Sequence, residues 1–199
     1  MHLPTFKLER ELLDEGYCGI VGVDEAGAGA LAGPLVAAAV ILPTNSRLAD
    51  VRDSKTLSDL QKDRLYDQIY NKARGCAVGI ATVREIYKFG LRPANLLAMR
   101  RAIESIPHAD FALIDAWNIP KLHVPQRSLI RGDQHVKSIA AASIIAKVTR
   151  DNIMIEHSEM FPEYKFDQHK GYGTKIHRDA IKEHGPCMLH RMKYKIFAT

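Results

Sequence analysis

Four carboxylates each follow a strand-like run and precede a loop or helix: Asp24 and Glu25 after residues 20–23, Asp115 after 111–114, and Asp133 after 127–131. Apolar runs of this length read as buried strands. Open α/β folds place their ligands at strand ends along one edge of the sheet. Acids gathered there repel one another unless a cation lies between them, and oxygen-only ligands select hard ions such as Mg²⁺ or Mn²⁺. Two such ions about 3.5–4 Å apart activate a water and stabilise the leaving oxygen of a phosphodiester. Plainer roles stay open for each acid: a solvated acidic turn for Asp24 and Glu25, a turn former before Pro120 for Asp115, a helix N-cap for Asp133. Asp151, beside Arg150 in a helical stretch, suits an ion pair as well as a metal.

The first acidic pair opens into a loop holding Gly27, Gly29 and Gly33. Successive strand side chains point to opposite faces, so Asp24 and Glu25 share a direction only if the backbone turns at that point. Glycine makes such a turn cheap and lets a ligand approach the main chain. Carboxylates beside accessible backbone N–H groups suit a cation and a phosphate held together.

A second chemistry-bearing stretch is His169-Lys170-Gly171-Tyr172-Gly173-Thr174-Lys175-Ile176-His177. Tyr172 is presented on a pliable backbone with cations beside it, either to stack on a nucleotide or to cover a neighbouring helix. Lys170 and Lys175 offer charge to phosphates, and Thr174 can cap the following helix. His169, His177, His184 and His190 fit no zinc spacing. Ser143 and Lys147 share a helix face, where a packing role is plainer than a Ser–Lys nucleophile. Trp117 reads as a packing residue.

These groups need a scaffold, and 199 residues with a 46% hydrophobic fraction are enough for one. The net charge of +5 permits a nucleic-acid partner. The longest apolar run, residues 35–42, is too short to span a bilayer. The N-terminus carries no secretion signal, and three widely spaced cysteines suit a reducing compartment. The expectation is a cytoplasmic monomer with no membrane partner.

Periodicity predicts a helix over 6–15, strands over 18–24 and 35–42 in antiparallel order, and a helix from a Ser58/Gln61 capping box to about 74. That helix is expected to bury Leu60, Leu65, Ile69 and Tyr70. A strand over 75–81, a short helix capped by Thr82 and Glu85, a helix over 93–106, and strands over 111–115 and 127–131 follow. A long, nearly all-apolar helix is predicted from 134 to about 155, then an irregular stretch over 161–173, then a helix over 175–184 stopped by Gly185-Pro186. Hairpin order first and helical crossovers later imply an α/β protein with a mixed sheet.

Several segments together carry a resemblance. They are Gly22-Val23-Asp24-Glu25-Ala26-Gly27, Leu31-Ala32-Gly33-Pro34, Asp53-Ser54-Lys55, Ile114-Asp115, Gly132-Asp133, residues 138–147 with Thr149-Arg150-Asp151, and His169-Lys170-Gly171-Tyr172-Gly173-Thr174. In order and spacing the chain resembles the type 2 ribonuclease H family in its bacterial form, over nearly its whole length. The resemblance implies a ribonuclease H-like mixed β-sheet flanked by helices. It implies one catalytic domain over 1–199, whose residues from about 156 to 199 form a helical part closing over the duplex.

It further implies hydrolysis of RNA in RNA/DNA hybrids and incision 5′ of a lone ribonucleotide in duplex DNA, leaving 3′-hydroxyl and 5′-phosphate ends. Asp24, Glu25, Asp115 and Asp133 fall on the family's two-metal acids, for Mg²⁺ or Mn²⁺. Gly27, Ala28, Gly29, Ser54, Lys55, Lys170, Tyr172 and Thr174 fall on its substrate contacts. Among these, Tyr172 stacks on the junction sugar and the backbone of Gly27 and Gly29 reads the ribose 2′-hydroxyl. The family usually carries arginine between those glycines, and here the residue is Ala28, followed by Ala30 where proline or serine is common. A catalytically weakened hybrid-binding protein is therefore the rival reading. A nuclease for ordinary DNA is a second, which the tyrosine segment disfavours.

Overall fold

The computed structural model describes residues 3–48, 51 and 57–194; the expected contacts Ser54 and Lys55 lie outside the described residues. In chain order the elements are α1 (Lys7–Asp14), β1 (Ile20–Ala26), β2 (Leu35–Ile41), α2 (Asp59–Lys72), β3 (Gly75–Ala81), α3 (Val83–Phe89) and α4 (Leu91–Glu104). They continue with β4 (Phe111–Asp115), β5 (Gln126–Leu129), α5 (Lys137–Met160), α6 (Phe166–His169) and α7 (Lys175–His184). The strands form one sheet in the order β3-β2-β1-β4-β5. β1 is antiparallel to β2 and parallel to β4. A short return suffices for the first pairing, whereas a parallel neighbour needs a long crossover, which the chain between β2 and β4 supplies.

Each face of the sheet has one principal helix, with α1 and α2 completing the α5 side. Val21 and Val23 of β1 and Ala37 and Ala39 of β2 pack with Ala98, Met99 and Ala102 of α4. Ala38 and Val40 face the other way, against Ala141, Ile144 and Ile145 of α5. β2 is buried at every position, as expected for a strand whose alanines and valines alternate between two helical layers.

Both capping boxes form, Ser58 with Gln61 and Thr82 with Glu85. Several expectations need correction. Leu65 and Ile69 of α2 are buried, but Leu60 and Tyr70 are exposed, because they lie off the stripe those two define. α5 starts at Lys137 rather than at 134, since residues Gly132–Gln134 form a separate 3₁₀ turn. Asp133 is therefore not its N-cap; Val136 holds that position without a side-chain bond. The open amide is met from α1 instead, where buried Glu9 accepts the Ser138 N–H at 2.9 Å and its hydroxyl at 2.8 Å. The stretch expected to be irregular contains a 3₁₀ turn at Pro162–Tyr164 and the short α6. Among the described residues no helix is long and apolar enough to cross a membrane.

Candidate active site

β1 does not stop where its charges begin. It runs through Asp24 and Glu25 to Ala26, and the turn comes at Gly27, whose φ is +98°. The two acids thus leave opposite faces of the strand instead of sharing a direction. Asp24 faces α5 and is 6% exposed, with a hydrogen bond to Ser143. β1 and β4 pair as far as Val23 and Ile114, so Asp24 and Asp115 stand one residue beyond, side by side at the same sheet edge. Asp115 accepts the Gly132 N–H at 2.6 Å, which ties the 3₁₀ turn carrying buried Asp133 to the end of β4. Ala116, next along, is held at φ 56°. Left-handed backbone in a residue with a Cβ is strained and collects at functional sites.

The electrostatics follow from this crowding. Burial pushes the Asp24 carboxyl well above its ordinary range, and the charges of Glu25 and Asp115 push the same way. A buried anion among anions is a poor arrangement until a cation arrives. The all-oxygen donor set fits a hard divalent ion. Among the described residues no three His, Cys, Asp or Glu side chains close around one point. The acids line an edge rather than a finished cage, consistent with their mutual repulsion.

The loop after β1 is clamped from below by two arginines. Arg150 of α5 is fully buried and donates to the carbonyls of Pro34 (3.1 Å) and Ala32 (3.0 Å). Arg191 donates to Gly33 (3.0 Å), Ala28 (3.3 Å) and Pro34 (3.2 Å). A Cβ at Gly27 would stand 2.2 Å from Arg150 Nε, so the clamp requires glycine there. On its flanks the loop is paired with the C-terminal region. Leu31 N–H donates to Gly171 at 2.8 Å, Ala30 bridges Tyr172, Gly33 N–H donates to Leu189 at 2.9 Å, and Arg191 N–H returns to Leu31 at 2.9 Å.

Tyr172 is half-buried, its ring 5.6 Å from Lys147 Nζ and 5.1 Å from the Arg150 guanidinium carbon. It therefore does cover a neighbouring helix, and from that position borders the glycine loop. Thr174 caps α7 as expected. Lys170 turns its ammonium to the Asp167 carbonyl, beside a cavity lined by Asp59, Lys62 and Asp151. Asp151 pairs with Lys147 at 2.5 Å and not with Arg150. Ser143 and Lys147 consequently serve different partners, Asp24 and Asp151. Trp117 packs on the α4 layer under Arg92.

The structure thus brings together Asp24, Glu25, Asp115, the Gly132-Asp133 turn, the 27–29 loop and Tyr172. The sequence offered Arg150 only an ion pair with Asp151, and Arg191 no role. The available signal was phase: Ser143, Lys147, Arg150 and Met154 recur at one-face spacing, so an arginine falls on a stripe already aimed at the acids.

Solved structures show which fold this is. A ribonuclease HII of Archaeoglobus fulgidus, determined in complex with PCNA, superposes with a TM-score of 0.77 at 24% identity, over 89% of this chain and 96% of that one. The ribonuclease H2 of Pyrococcus horikoshii gives 0.75 at 22% identity, over 89% and 94%. The architecture is the ribonuclease H-like mixed sheet with a helical C-terminal region. The sequence profile of the Ribonuclease HII family matches residues 21–197. A ribonuclease HII of Chloroflexus aurantiacus is 46% identical over 97% of this chain and 94% of its own. That of Caldicellulosiruptor saccharolyticus is 45% identical over 95% and 93%. The chain belongs to the ribonuclease HII family. It is accordingly an endoribonuclease, a phosphodiester hydrolase acting on RNA, in a family that depends on divalent metal.

Proposed function

We propose that this protein hydrolyses RNA in RNA/DNA hybrids and incises on the 5′ side of single ribonucleotides embedded in duplex DNA, leaving 3′-hydroxyl and 5′-phosphate ends. The observation that carries the reading is the pairing of Ala30 with Tyr172. It sets the loop of buried Gly27 and exposed Gly29 beside Tyr172, immediately downstream of the acids on β1. A backbone that approaches closely can hydrogen-bond a ribose 2′-hydroxyl, the group that marks RNA. A ring beside it can stack on the neighbouring sugar.

Asp24, Glu25, Asp115 and Asp133 are the residues that would hold Mg²⁺ or Mn²⁺. Bound there, divalent metal supplies an activated water and stabilises charge on the leaving oxygen. The chain's own contribution is positional. Ser143 and the Glu25 N–H orient Asp24, Gly132 orients Asp115, and the arginine clamp fixes the loop. The Mn²⁺ complex of a Bst ribonuclease HIII, of the same fold at a TM-score of 0.69, is consistent with this donor chemistry. Residues from about 156 to 199 form the part that closes over the duplex within a single catalytic domain, and the protein works as a cytoplasmic monomer in ribonucleotide removal. Intact acids favour this over a merely hybrid-binding protein.

The test is product analysis on an end-labelled duplex with one ribonucleotide. The expected product ends immediately 5′ of the ribonucleotide and is extended by a DNA polymerase, which requires a 3′-hydroxyl. A cut on the 3′ side, or an unextendable end, would overturn the proposal.

A further inference from the structure

Behind Tyr172 lies a group of imidazoles that the catalytic reading leaves unused. His177 is fully buried and His169 and His190 nearly so. His177 Nδ1 lies 3.0 Å from the Tyr172 carbonyl oxygen, and its Nε2 lies 3.1 Å from His190 Nε2. His190 Nδ1 receives the Cys187 N–H at 2.9 Å, the shortest of its three contacts with that residue, whose Sγ lies at 3.2 Å and carbonyl oxygen at 3.3 Å. These contacts determine the tautomers. A carbonyl oxygen only accepts, so His177 Nδ1 must carry hydrogen and its Nε2 must accept. His190 Nε2 must then donate, leaving Nδ1 free to accept from Cys187. The reversed arrangement sets lone pair against lone pair at Tyr172 and N–H against N–H at Cys187.

His169 completes the set. Its Nδ1 accepts the Gly171 N–H at 3.2 Å and its Nε2 donates to the Tyr164 carbonyl at 2.8 Å. Its ring stacks on His177 with centroids 4.4 Å apart. Between these rings the chain makes two consecutive left-handed residues, Lys170 at φ 52° and Gly171 at φ 81°. Side-chain bonds hold this unfavourable turn in place. His190 also belongs to the segment paired with the glycine loop, where it bridges Ala32.

We infer that His177 and His190 are positioning residues. As a directional relay of neutral imidazoles running from the Cys187 amide to the Tyr172 carbonyl, they set Tyr172 at a fixed distance from the glycine loop and so tune recognition of the ribonucleotide junction. This rests on the reading of Tyr172 as a substrate contact. Neither histidine touches substrate; both act through the tyrosine.

Two measurements test the relay. The first uses the unmodified protein: ¹⁵N shifts of the imidazole nitrogens at neutral pH should show Nδ1–H at His177 and Nε2–H at His190. The opposite tautomers, or a charged ring at either residue, would overturn it. The second is a double-mutant cycle read by single-turnover cleavage at saturating single-ribonucleotide duplex. His177→Ala should cost roughly tenfold, up to the loss from Tyr172→Ala itself. It should cost nothing further in the Tyr172→Ala background, although melting temperature falls equally in both backgrounds. His177→Asn, whose amide keeps a donor near the Tyr172 carbonyl, should recover most of the rate. Losses that multiply would sink the relay while leaving Tyr172 in its role. A Tyr172→Ala protein with unchanged cleavage would remove the reading of Tyr172, and the relay with it.

Discussion

The acidic edge of the sheet and the histidine cluster behind Tyr172 are both collections of buried titratable groups, solved in opposite ways. At the edge, burial and like charge act together to push Asp24 upward. In the cluster, burial pushes His177 down to about 4 and lowers His169 and His190, yet nitrogen after nitrogen has a partner of the right kind. One region is left frustrated so that a cation can relieve it. The other is satisfied so that a backbone turn stays put. Reactivity and rigidity are thus divided between two parts of the chain and joined by the glycine loop, which leaves one and pairs with the other.

The sharpest way to break this contrast is to remove a charge from the edge. Asp24→Asn, Glu25→Gln or Asp115→Asn should each lower turnover by orders of magnitude, while the metal-free protein melts higher because repulsion is relieved. Near wild-type turnover in any of them would take that residue out of the site. Asp133→Asn should cost less, as the amide oxygen can still serve as a neutral ligand.

Next in size is Tyr172→Ala. Stacking losses of about 1–3 kcal/mol, at the lower end for a sugar face, together with misplacement of the scissile phosphate, should impair single-turnover cleavage at a lone ribonucleotide. The Mg²⁺ dependence should not move. Tyr172→Phe keeps the ring and should be the milder change. Equal damage from both would shift the role to the hydroxyl.

The two regions should also answer acid with opposite signs. An unfolded histidine takes up its proton near pH 6.5, whereas folded His177 resists until about 4. The unfolded state therefore binds more protons across that window, and the cluster loses stability as pH falls from 6.5 toward 4. Asp24, raised in the folded state, is relieved by the same acidification. Melting temperature against pH should accordingly slope more gently for His177→Gln than for wild type, and more steeply for metal-free Asp24→Asn. Parallel curves would show that neither group sets the profile.

What the sequence made legible follows from which signals are local. Strand 75–81 and helix 175–184 could be placed to the residue because caps and glycines punctuate them. The acids were found because each follows a strand-like run, apolar before Asp24, Glu25 and Asp115. The end of β1 was misplaced, since charge reads as a strand terminator while pairing of Glu25 with Ala37 and Ala26 with Val36 keeps the backbone extended. The arginine clamp and the histidine relay were invisible as a machine: the arginines' partners are carbonyls up to 163 positions away and the relay begins and ends on backbone groups, none of which leaves a trace in residue type.

The smallest predicted effect concerns the loop itself. Ala28→Arg places a cation between those glycines and should tighten junction binding, with its salt slope steeper by about one counterion. An unchanged slope would mean that the loop does not reach phosphate.

The proposed division of labour gives chemistry to the edge and choice of position to the loop with Tyr172. It is tested most directly by cleavage of a duplex with one ribonucleotide beside an all-DNA duplex of the same sequence, across a Mg²⁺ titration. A single cut is expected, only in the ribonucleotide strand and only with metal. Equal cutting of the all-DNA duplex, or no cutting at any Mg²⁺ or Mn²⁺ concentration, would contradict it.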